Sequence, residues 1–381
     1  MIRSTEILDG GRRLAVRWDD GTASTLPAVW LRDNAQDAQS RHAGNGQRLF
    51  TILDVPADIR IAAASTEGGG LALRFAPDGH ATRFEADWLR CHAAAPLRRA
   101  PGWVRDGLEL WDAGLTGHLP TASWDRVASD DRALLDWLDA VRRLGVARLA
   151  GVPCESGALV RVVERFGHVR ETNYGRWFDV RSEVNPSNLA YTSLGLQVHT
   201  DNPYRDPVPG LQLLHCLANS TDGGESVVVD GFAAAHRLRD ADEAAFLRLA
   251  RTPVPFRYAS GDAVLESRFP LLGLAADGEL VEVRFNNRSL GVPALAEDEI
   301  EPWYAAYRRF AALLELPALE VRFRLEPGEL FIVDNRRVLH GRTGFSGAGQ
   351  RHLQGCYADR DGLLSRWASL RSRLVAAPAA A

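Results

Sequence analysis

The chain has 381 residues, 46% of them apolar and 25% charged, which is an ordinary globular make-up and enough length for one large domain plus a smaller one. Its formal net charge of −4, with no basic block interleaved with aromatics, excludes a general affinity for nucleic acid or anionic membranes and points to small molecules as partners. All 45 cationic side chains are arginine, so Schiff-base, phosphate-loop and kinase-type lysine chemistry is excluded. The four cysteines, Cys91, Cys154, Cys216 and Cys356, form no C-x-x-C pair, no signal-like pattern opens the sequence, and no apolar run reaches membrane-spanning length. A reduced, cytoplasmic setting is the expectation.

Residues 1–92 read as a small β-rich domain. Residues 14–18 and 71–75 alternate apolar and polar side chains ahead of the turns Asp19-Asp20-Gly21 and Pro77-Asp78-Gly79, with residues 29–34 between them and residues 84–89 closing the segment. Residues 93–125, rich in Pro and Gly, read as a linker or wrap. Ser129 is the expected N-cap of a helix carrying Leu134, Leu138 and Val141 on its apolar face, and a second helix is expected over residues 158–166, with a strand over 145–149 between them. After Thr172 the pattern becomes short strands, over residues 211–217, 227–229, 254–258, 280–285, 321–325, 330–333 and 352–357, interrupted by a helix near 298–314. Many short strands broken by Gly and Pro predict a mainly β fold, a double-stranded β-helix or jelly roll with added helices over residues 126–375, and a frayed tail over 376–381.

The stretch from Asn185 to Leu217 is where chemistry concentrates. An apolar run, 194–198, leads into His199-Thr200-Asp201, and side chains two apart on a strand point the same way, so an imidazole and a carboxylate can meet on one metal ion. Two His and one carboxylate make the facial set that leaves open positions on a non-haem iron. With ten His in the chain, about one His-x-Asp arises by chance, so the tripeptide needs context. That context lies downstream: a strand-like run enters the turn pair Asp334-Asn335, His340 follows on the next apolar stretch, and Arg351 comes eleven residues later, where a planar guanidinium can fork onto a carboxylate.

In order along the chain stand Trp30-Leu31-Arg32-Asp33-Asn34, His199-Thr200-Asp201, residues 210–216 (GLQLLHC), Asp230-Gly231-Phe232, Phe285-Asn286-Asn287, Asp334-Asn335 and Leu339-His340-Gly341-Arg342. This series resembles the γ-butyrobetaine and trimethyllysine hydroxylase branch of the Fe(II)- and 2-oxoglutarate-dependent dioxygenases, within the taurine dioxygenase superfamily, over nearly the whole chain. The resemblance implies that His199, Asp201 and His340 bind Fe(II), that Arg351 holds the distal carboxylate of 2-oxoglutarate, and that O2 is the third reactant. Each ligand His is expected to donate its second N–H to a neighbour. The resemblance further implies a homodimer.

Substrate contacts follow in part. The branch cages a trimethylammonium group with aromatics, and Tyr174, Tyr191 and Tyr357 match cage positions, with Phe178 or the adjacent Trp177 completing the set. Asn188 and Asn287 match residues that bind the substrate carboxylate. Two departures stand out: Asn202 follows the ligand Asp where the branch usually has Tyr, and Arg288 stands where a small residue is expected. An added guanidinium and amide suit a tetrahedral phosphonate, so the expected reaction is hydroxylation of 2-(trimethylammonio)ethylphosphonate at the carbon next to phosphorus. The alternatives are γ-butyrobetaine hydroxylation, a taurine-type sulfonate oxygenase, or a jelly-roll binding protein without turnover. A third departure concerns the structural zinc that family members often carry in the small domain. The matching positions are Ala35, Asp37, Ser40 and His80, so no zinc is expected, with Asp37, His42 and His80 as the one set that could rescue it.

Overall fold

Burial of every second side chain shapes the first strands. A computed structural model describes residues 1–93, 99–181, 195–345 and 349–375 and divides the chain into two units, Met1–Arg98 and Arg99–Ala381. In the first unit, β1 (Ile2–Leu8), β2 (Arg13–Trp18) and β3 (Ala23–Pro27) form one antiparallel sheet. Helix α1 (Ala28–Asp33) comes next. A second antiparallel sheet follows, made of β4 (Arg60–Glu67), β5 (Gly70–Ala76) and β6 (Ala81–Glu85), and α2 (Ala86–Ala93) ends the described part. Leu14, Val16 and Trp18 of β2 share a core with Leu71, Leu73 and Phe75 of β5 and with Phe84. The stretch around Trp30 is helical because Ala28, Leu31 and Arg32 are the buried positions, a spacing of three to four residues.

Where the family often holds zinc, this unit has a hydrogen-bonded pair. His80 Nε2 lies 2.9 Å from Asp37 Oδ2 and 3.2 Å from Ser40 Oγ, and Ala35 is fully buried. His42 turns instead to its own loop, accepting from the Gly44 N–H, so Asp37, His42 and His80 do not converge.

The second unit opens with β7 (Thr121–Ser123), α3 (Trp124–Ser129), α4 (Asp131–Leu144), β8 (Val146–Ala150) and α5 (Ala158–Val163). The N-cap of α4 is Asp130, which accepts from the Arg132 N–H at 2.8 Å, and not Ser129. Ser129 is the last residue of α3 and already donates its hydroxyl to the Asp125 carbonyl. Then come β9 (Phe178–Arg181), β10 (Leu196–His199), β11 (Leu211–Asn219) and β12 (Ser226–Asp230). Helices α6 (Gly231–Ala241) and α7 (Glu243–Arg251) lead to two hairpins, β13 (Val254–Ser260) with β14 (Ala263–Phe269), and β15 (Leu272–Leu274) with β16 (Leu280–Val283). Helix α8 (Glu297–Leu314) precedes β17 (Glu320–Phe323), β18 (Leu330–Asp334), β19 (Val338–Arg342) and β20 (Arg351–Ala358), and α9 (Arg360–Val375) completes the described chain.

Two sheets result, one in the order β7-β8-β18-β11-β20-β9 and the other β10-β19-β12-β17. Cys216, Phe331, Val333 and Leu353 of the first share a core with Val228, Val321, Phe323 and Val338 of the second, so the sheets face each other as the two walls of a double-stranded β-helix. Apolar faces of α4, α5 and α9 cover the outside of the larger sheet, and α6, α7 and α8 cover the smaller one. Residues 99–125 are bound into this unit: the backbone N–H of Trp111 donates to Asp230, and its indole N–H donates to the Leu144 carbonyl at 2.6 Å. Asp230 and Arg337, both buried, form a bidentate pair, and the same guanidinium donates to the carbonyls of Glu109 and Arg143. One buried charge pair thus ties the β18–β19 turn, the start of α6 and residues 109–111 together. Among the described residues, no helix is long and apolar enough to cross a membrane.

His215 on β11 is fully buried, and burial, opposed only in part by the Val152 backbone, pulls its pKa down to about 4. Below pH ~6.5 the unfolded chain takes up a proton there that the folded chain refuses, so stability falls as pH drops from about 6.5 toward 4. The variant His215→Leu removes that uptake and is expected to flatten the acid limb by roughly 2–3 kcal/mol. Urea unfolding of both proteins at pH 7.5 and pH 5 checks this; parallel losses in the two would refute it.

Candidate metal and substrate site

The register of one antiparallel pair builds the centre. On β10 and β19 the Cα of His199 is paired with that of His340, so two residues far apart in sequence face each other across a single strand spacing. Gly341 permits the approach: a Cβ there would stand 2.5 Å from the Leu196 carbonyl oxygen. Asp201 follows just past the end of β10. Ligand atoms of His199, Asp201 and His340 lie within 4.8 Å of one another, and among the described residues no other group of His, Cys, Asp or Glu does this. Asp201 Oδ1 is 3.2 Å from His199 Nε2 and 3.9 Å from His340 Nε2.

Each part of the Asp201 residue is held separately. Asn335, buried in the β18–β19 turn, accepts from the Asp201 N–H at 2.7 Å and donates to the carbonyls of Asp201 and Pro209, both at 3.0 Å. On the side chain, Oδ2 accepts from Gln212 Nε2 at 2.5 Å and from the Tyr357 hydroxyl at 2.7 Å. Only Oδ1 is left facing the imidazoles. Thr200 is fixed by Phe285, whose carbonyl accepts from the Thr200 N–H at 2.8 Å, and by the Asn286 amide.

Protonation states suit a metal. Burial alone would raise the Asp201 carboxyl, but hydrogen bonding to His199, the two imidazoles and the Tyr357 hydroxyl together hold it well below the usual range. Burial, then the neighbouring His199, pulls His340 down to about 3. His199 Nδ1 lies 2.9 Å from the Gln197 carbonyl, a contact that requires the proton on Nδ1, so Nε2, which faces Asp201, is the nitrogen left for a metal. His340 departs from the expectation: among the described residues its buried Nδ1 has no partner.

A cavity at the centre is also lined by Val180, Leu196, Leu214, Ser226, Arg342, Arg351 and Leu353. Arg351 is buried, and among the described residues its Nε has no partner and its closest acceptor is the Gly224 carbonyl at 3.4 Å. Burial lowers its pKa, and it lowers that of Arg342 to about 10, with the Arg351 charge second. A buried guanidinium with an orphaned N–H and no carboxylate among the described residues fits one end of a dicarboxylate such as 2-oxoglutarate.

The remaining wall divides the expected substrate residues. Tyr174, Phe178, Asn202, Arg288 and Tyr357 line the cavity. Phe178 lies 5.9 Å from Tyr174 and 5.3 Å from Tyr357, centroid to centroid. Trp177 does not belong to this wall. It sits one residue before Phe178 at the start of β9, where alternation turns it to the opposite side, against Gly157 and partly in solvent. Asn287 is likewise outside the cavity: its side chain is turned to α8 and accepts from the Tyr307 hydroxyl at 2.9 Å. Asn188 and Tyr191 lie outside the described residues.

Sequence reasoning did not find Gln212, Tyr204, Arg257, Tyr258 and Ser289, all of which line the cavity. Tyr204 bonds Tyr174 at 3.0 Å, hydroxyl to hydroxyl, and donates to Asn202 Oδ1 at 2.6 Å, while its ring stacks on Tyr258 at 5.0 Å. The only signals were Gln212 inside the quoted 210–216 run and Ser289 beside Arg288; the hairpin that delivers Arg257 and Tyr258 reads as an ordinary strand.

Two imidazoles and a clamped carboxylate between the walls of a double-stranded β-helix define a non-haem metal oxygenase centre. Residues 111–357 match the taurine catabolism dioxygenase TauD, TfdA family, and residues 6–90 match the γ-butyrobetaine hydroxylase-like N-terminal family. The γ-butyrobetaine dioxygenase of Pseudomonas sp. (strain AK-1) is 40% identical over 93% of this chain and 92% of its own. The human γ-butyrobetaine dioxygenase is 33% identical over 98% of both chains, and the trimethyllysine dioxygenase of Meyerozyma guilliermondii 29% over 93% of both. A solved asparagine oxygenase, in complex with Fe(II), a hydroxyasparagine and succinate, covers 62% of this chain and 93% of its own at 20% identity, with a TM-score of 0.48. The chain belongs to the TauD/TfdA dioxygenase family, in the branch with γ-butyrobetaine and trimethyllysine dioxygenases, and is an Fe(II)- and 2-oxoglutarate-dependent dioxygenase.

Because Asn335 alone holds both backbone groups of Asp201, Asn335→Ala is expected to weaken Fe(II) or Co(II) binding about 10–100-fold while the fold is kept. Titration calorimetry with Co(II), beside a circular-dichroism melt, measures it; unchanged affinity would show that the strand ends alone place the carboxylate.

Proposed function

We propose that the enzyme hydroxylates a small trimethylammonium zwitterion whose anionic end is a phosphonate, 2-(trimethylammonio)ethylphosphonate, at the carbon next to phosphorus. In this reading His199, Asp201 and His340 hold Fe(II), and Arg351 receives the distal carboxylate of 2-oxoglutarate. When bound, the metal, the oxo-acid and O2 supply the oxidising power, and the protein supplies orientation and a dry cavity. The rings of Tyr174, Phe178 and Tyr357 offer π faces to the ammonium end, an attraction that grows as the cation is desolvated.

One observation carries the choice of anion. Among the described residues, Asn202 Nδ2 and Ser289 Oγ are buried in the cavity without a partner, and the guanidinium groups of Arg288 and Arg257, which line the same cavity, make no ion pair with a carboxylate. Asn202 is presented by a left-handed backbone, φ 53°, a conformation that Asn tolerates better than most residues. Burial lowers the Arg288 pKa, and the nearby Asp201 charge opposes that shift. Two cations, an amide and a hydroxyl bring more positive charge than a carboxylate monoanion balances, and they suit three oxygens carrying up to two charges.

Both ends of such a substrate are anchored beside the same ligand. Tyr357 bonds Asp201, and Asn202 follows it in the chain, so the span between cage and anion subsite is short and its carbons lie against the metal side of the cavity. γ-Butyrobetaine is the second reading, favoured by the names of two relatives that match over more than nine-tenths of the chain. On the N-terminal unit, Val29, Leu49, Ile52 and Leu53 are exposed apolar side chains, which supports the homodimer that the family resemblance implies.

Oxygen-dependent turnover of the two zwitterions at equal concentration is expected to favour the phosphonate, and Arg288→Ala is expected to raise its KM about ten- to hundredfold, as loss of a charge-assisted bond would. Preference for the carboxylate, or an unchanged KM in the variant, would overturn the phosphonate assignment. Release of sulfite from taurine would favour the sulfonate alternative, and absence of 2-oxoglutarate decarboxylation with every substrate would favour a binding protein.

A further inference from the structure

Tyr357 has two attachments in different parts of the site. Its ring forms a wall of the aromatic cluster, 5.3 Å from Phe178, and its hydroxyl donates to Asp201 Oδ2 at 2.7 Å. The residue is nearly fully buried on β20, where its Cα is paired with that of Gln212 on β11. Gln212 supplies the second bond to the same carboxylate oxygen but is no part of the aromatic cluster. The two donors to Oδ2 thus differ in one respect: only Tyr357 can be touched by a cation among the rings.

We propose that Tyr357 is a positioning residue that couples occupancy of the aromatic cage to the geometry of the metal ligand Asp201. The inference rests on the reading of the aromatic cluster as a cation cage. A cation against the ring face fixes the ring and draws electron density from the phenol, which makes its O–H a better donor to Oδ2. A firmer bond to Oδ2 keeps that oxygen off the metal and holds Oδ1 in place, so cation and metal favour each other through the carboxylate. Linkage is reciprocal, so a cation that strengthens metal binding must itself bind better when the metal is present. Direct repulsion between the two cations acts the other way and does not depend on the hydroxyl.

The test uses the full-length protein, stripped of metal, with Co(II) as the metal and tetramethylammonium as the cation. Co(II) affinity and the visible d–d spectrum are measured with and without tetramethylammonium in the unaltered protein, in Tyr357→Phe, which keeps the ring, and in Gln212→Leu. The unaltered protein is expected to bind Co(II) about fivefold more tightly with the cation present and to show a change in the d–d bands. Tyr357→Phe is expected to bind tetramethylammonium but to lose the gain or reverse it, leaving the spectrum unmoved. Gln212→Leu is expected to bind Co(II) more weakly yet keep the same ratio. Tetramethylammonium that binds the unaltered protein with no effect on Co(II), or an undiminished gain in Tyr357→Phe, overturns the coupling alone. Tetramethylammonium that does not bind at all overturns the cage reading and the coupling with it.

Discussion

The site depends on one strand register. With His199 opposite His340 on β10 and β19, the two imidazoles meet at the separation of neighbouring strands, and nothing further is needed to bring residue 199 to residue 340. A slip of one residue would turn either His to the other face of its strand. Several features hold the register. Val228 of β12 pairs with His340 from the other side, Gly341 admits the Leu196 carbonyl, and the β18–β19 turn is fixed at Arg337 by the buried Asp230. The carboxylate is secured by other means because it lies beyond the strand end. Asn335 gives its backbone the hydrogen bonds that a neighbouring strand would otherwise provide.

Arginine is the only strong cation in this protein, and its uses separate structure from chemistry. Arg337 is buried against Asp230 with both forks satisfied. Arg284 is nearly as buried. It bonds Glu282, lies 3.7 Å over the Phe269 ring, and donates to the Pro203 and Arg205 carbonyls, which stiffens the loop just after Asn202. These cations are compensated, and they build the scaffold. Arg351, Arg288 and Arg257 line the cavity with no described carboxylate in ion-pair range. Arg351 is buried, and a guanidinium taken from water without a counter-charge is costly, whereas Arg288 and Arg257 remain exposed.

How much of this was legible in the sequence follows from the range of each signal. The ligands could be read because a strand end fixes His199 and Asp201 locally, and because the 334–342 run carries its own turn and strand. The strands over 227–229 and 330–333 were equally plain, since buried strands are continuous apolar runs. Helices α6 and α9 were not, because Ala- and Arg-rich segments carry weak periodicity, and α7 was missed although Ala245, Phe246 and Leu249 give it an apolar face. Trp177 against Phe178 was undecidable before folding: it is a question of strand phase, and two adjacent aromatics satisfy either phase. Asn286 and Asn287 pose the same problem. The first turns inward to Thr200 and the second outward to Tyr307, which sequence adjacency cannot distinguish. Arg257 and Tyr258 were invisible as site residues because only the β13–β14 hairpin brings them to the cavity.

The placement of Asp201 carries the argument from fold to substrate. Its neighbours serve three purposes within a few ångströms: Oδ1 faces the imidazoles, Oδ2 bonds Tyr357 of the aromatic cluster, and the next residue, Asn202, lines the same cavity as Arg257 and Arg288. In the proposed reading, a zwitterion that reaches from the aromatic rings to Asn202 lies beside this carboxylate, and positions 202, 257, 288 and 289 can change what its anionic end meets without disturbing the strand register that assembles the metal centre.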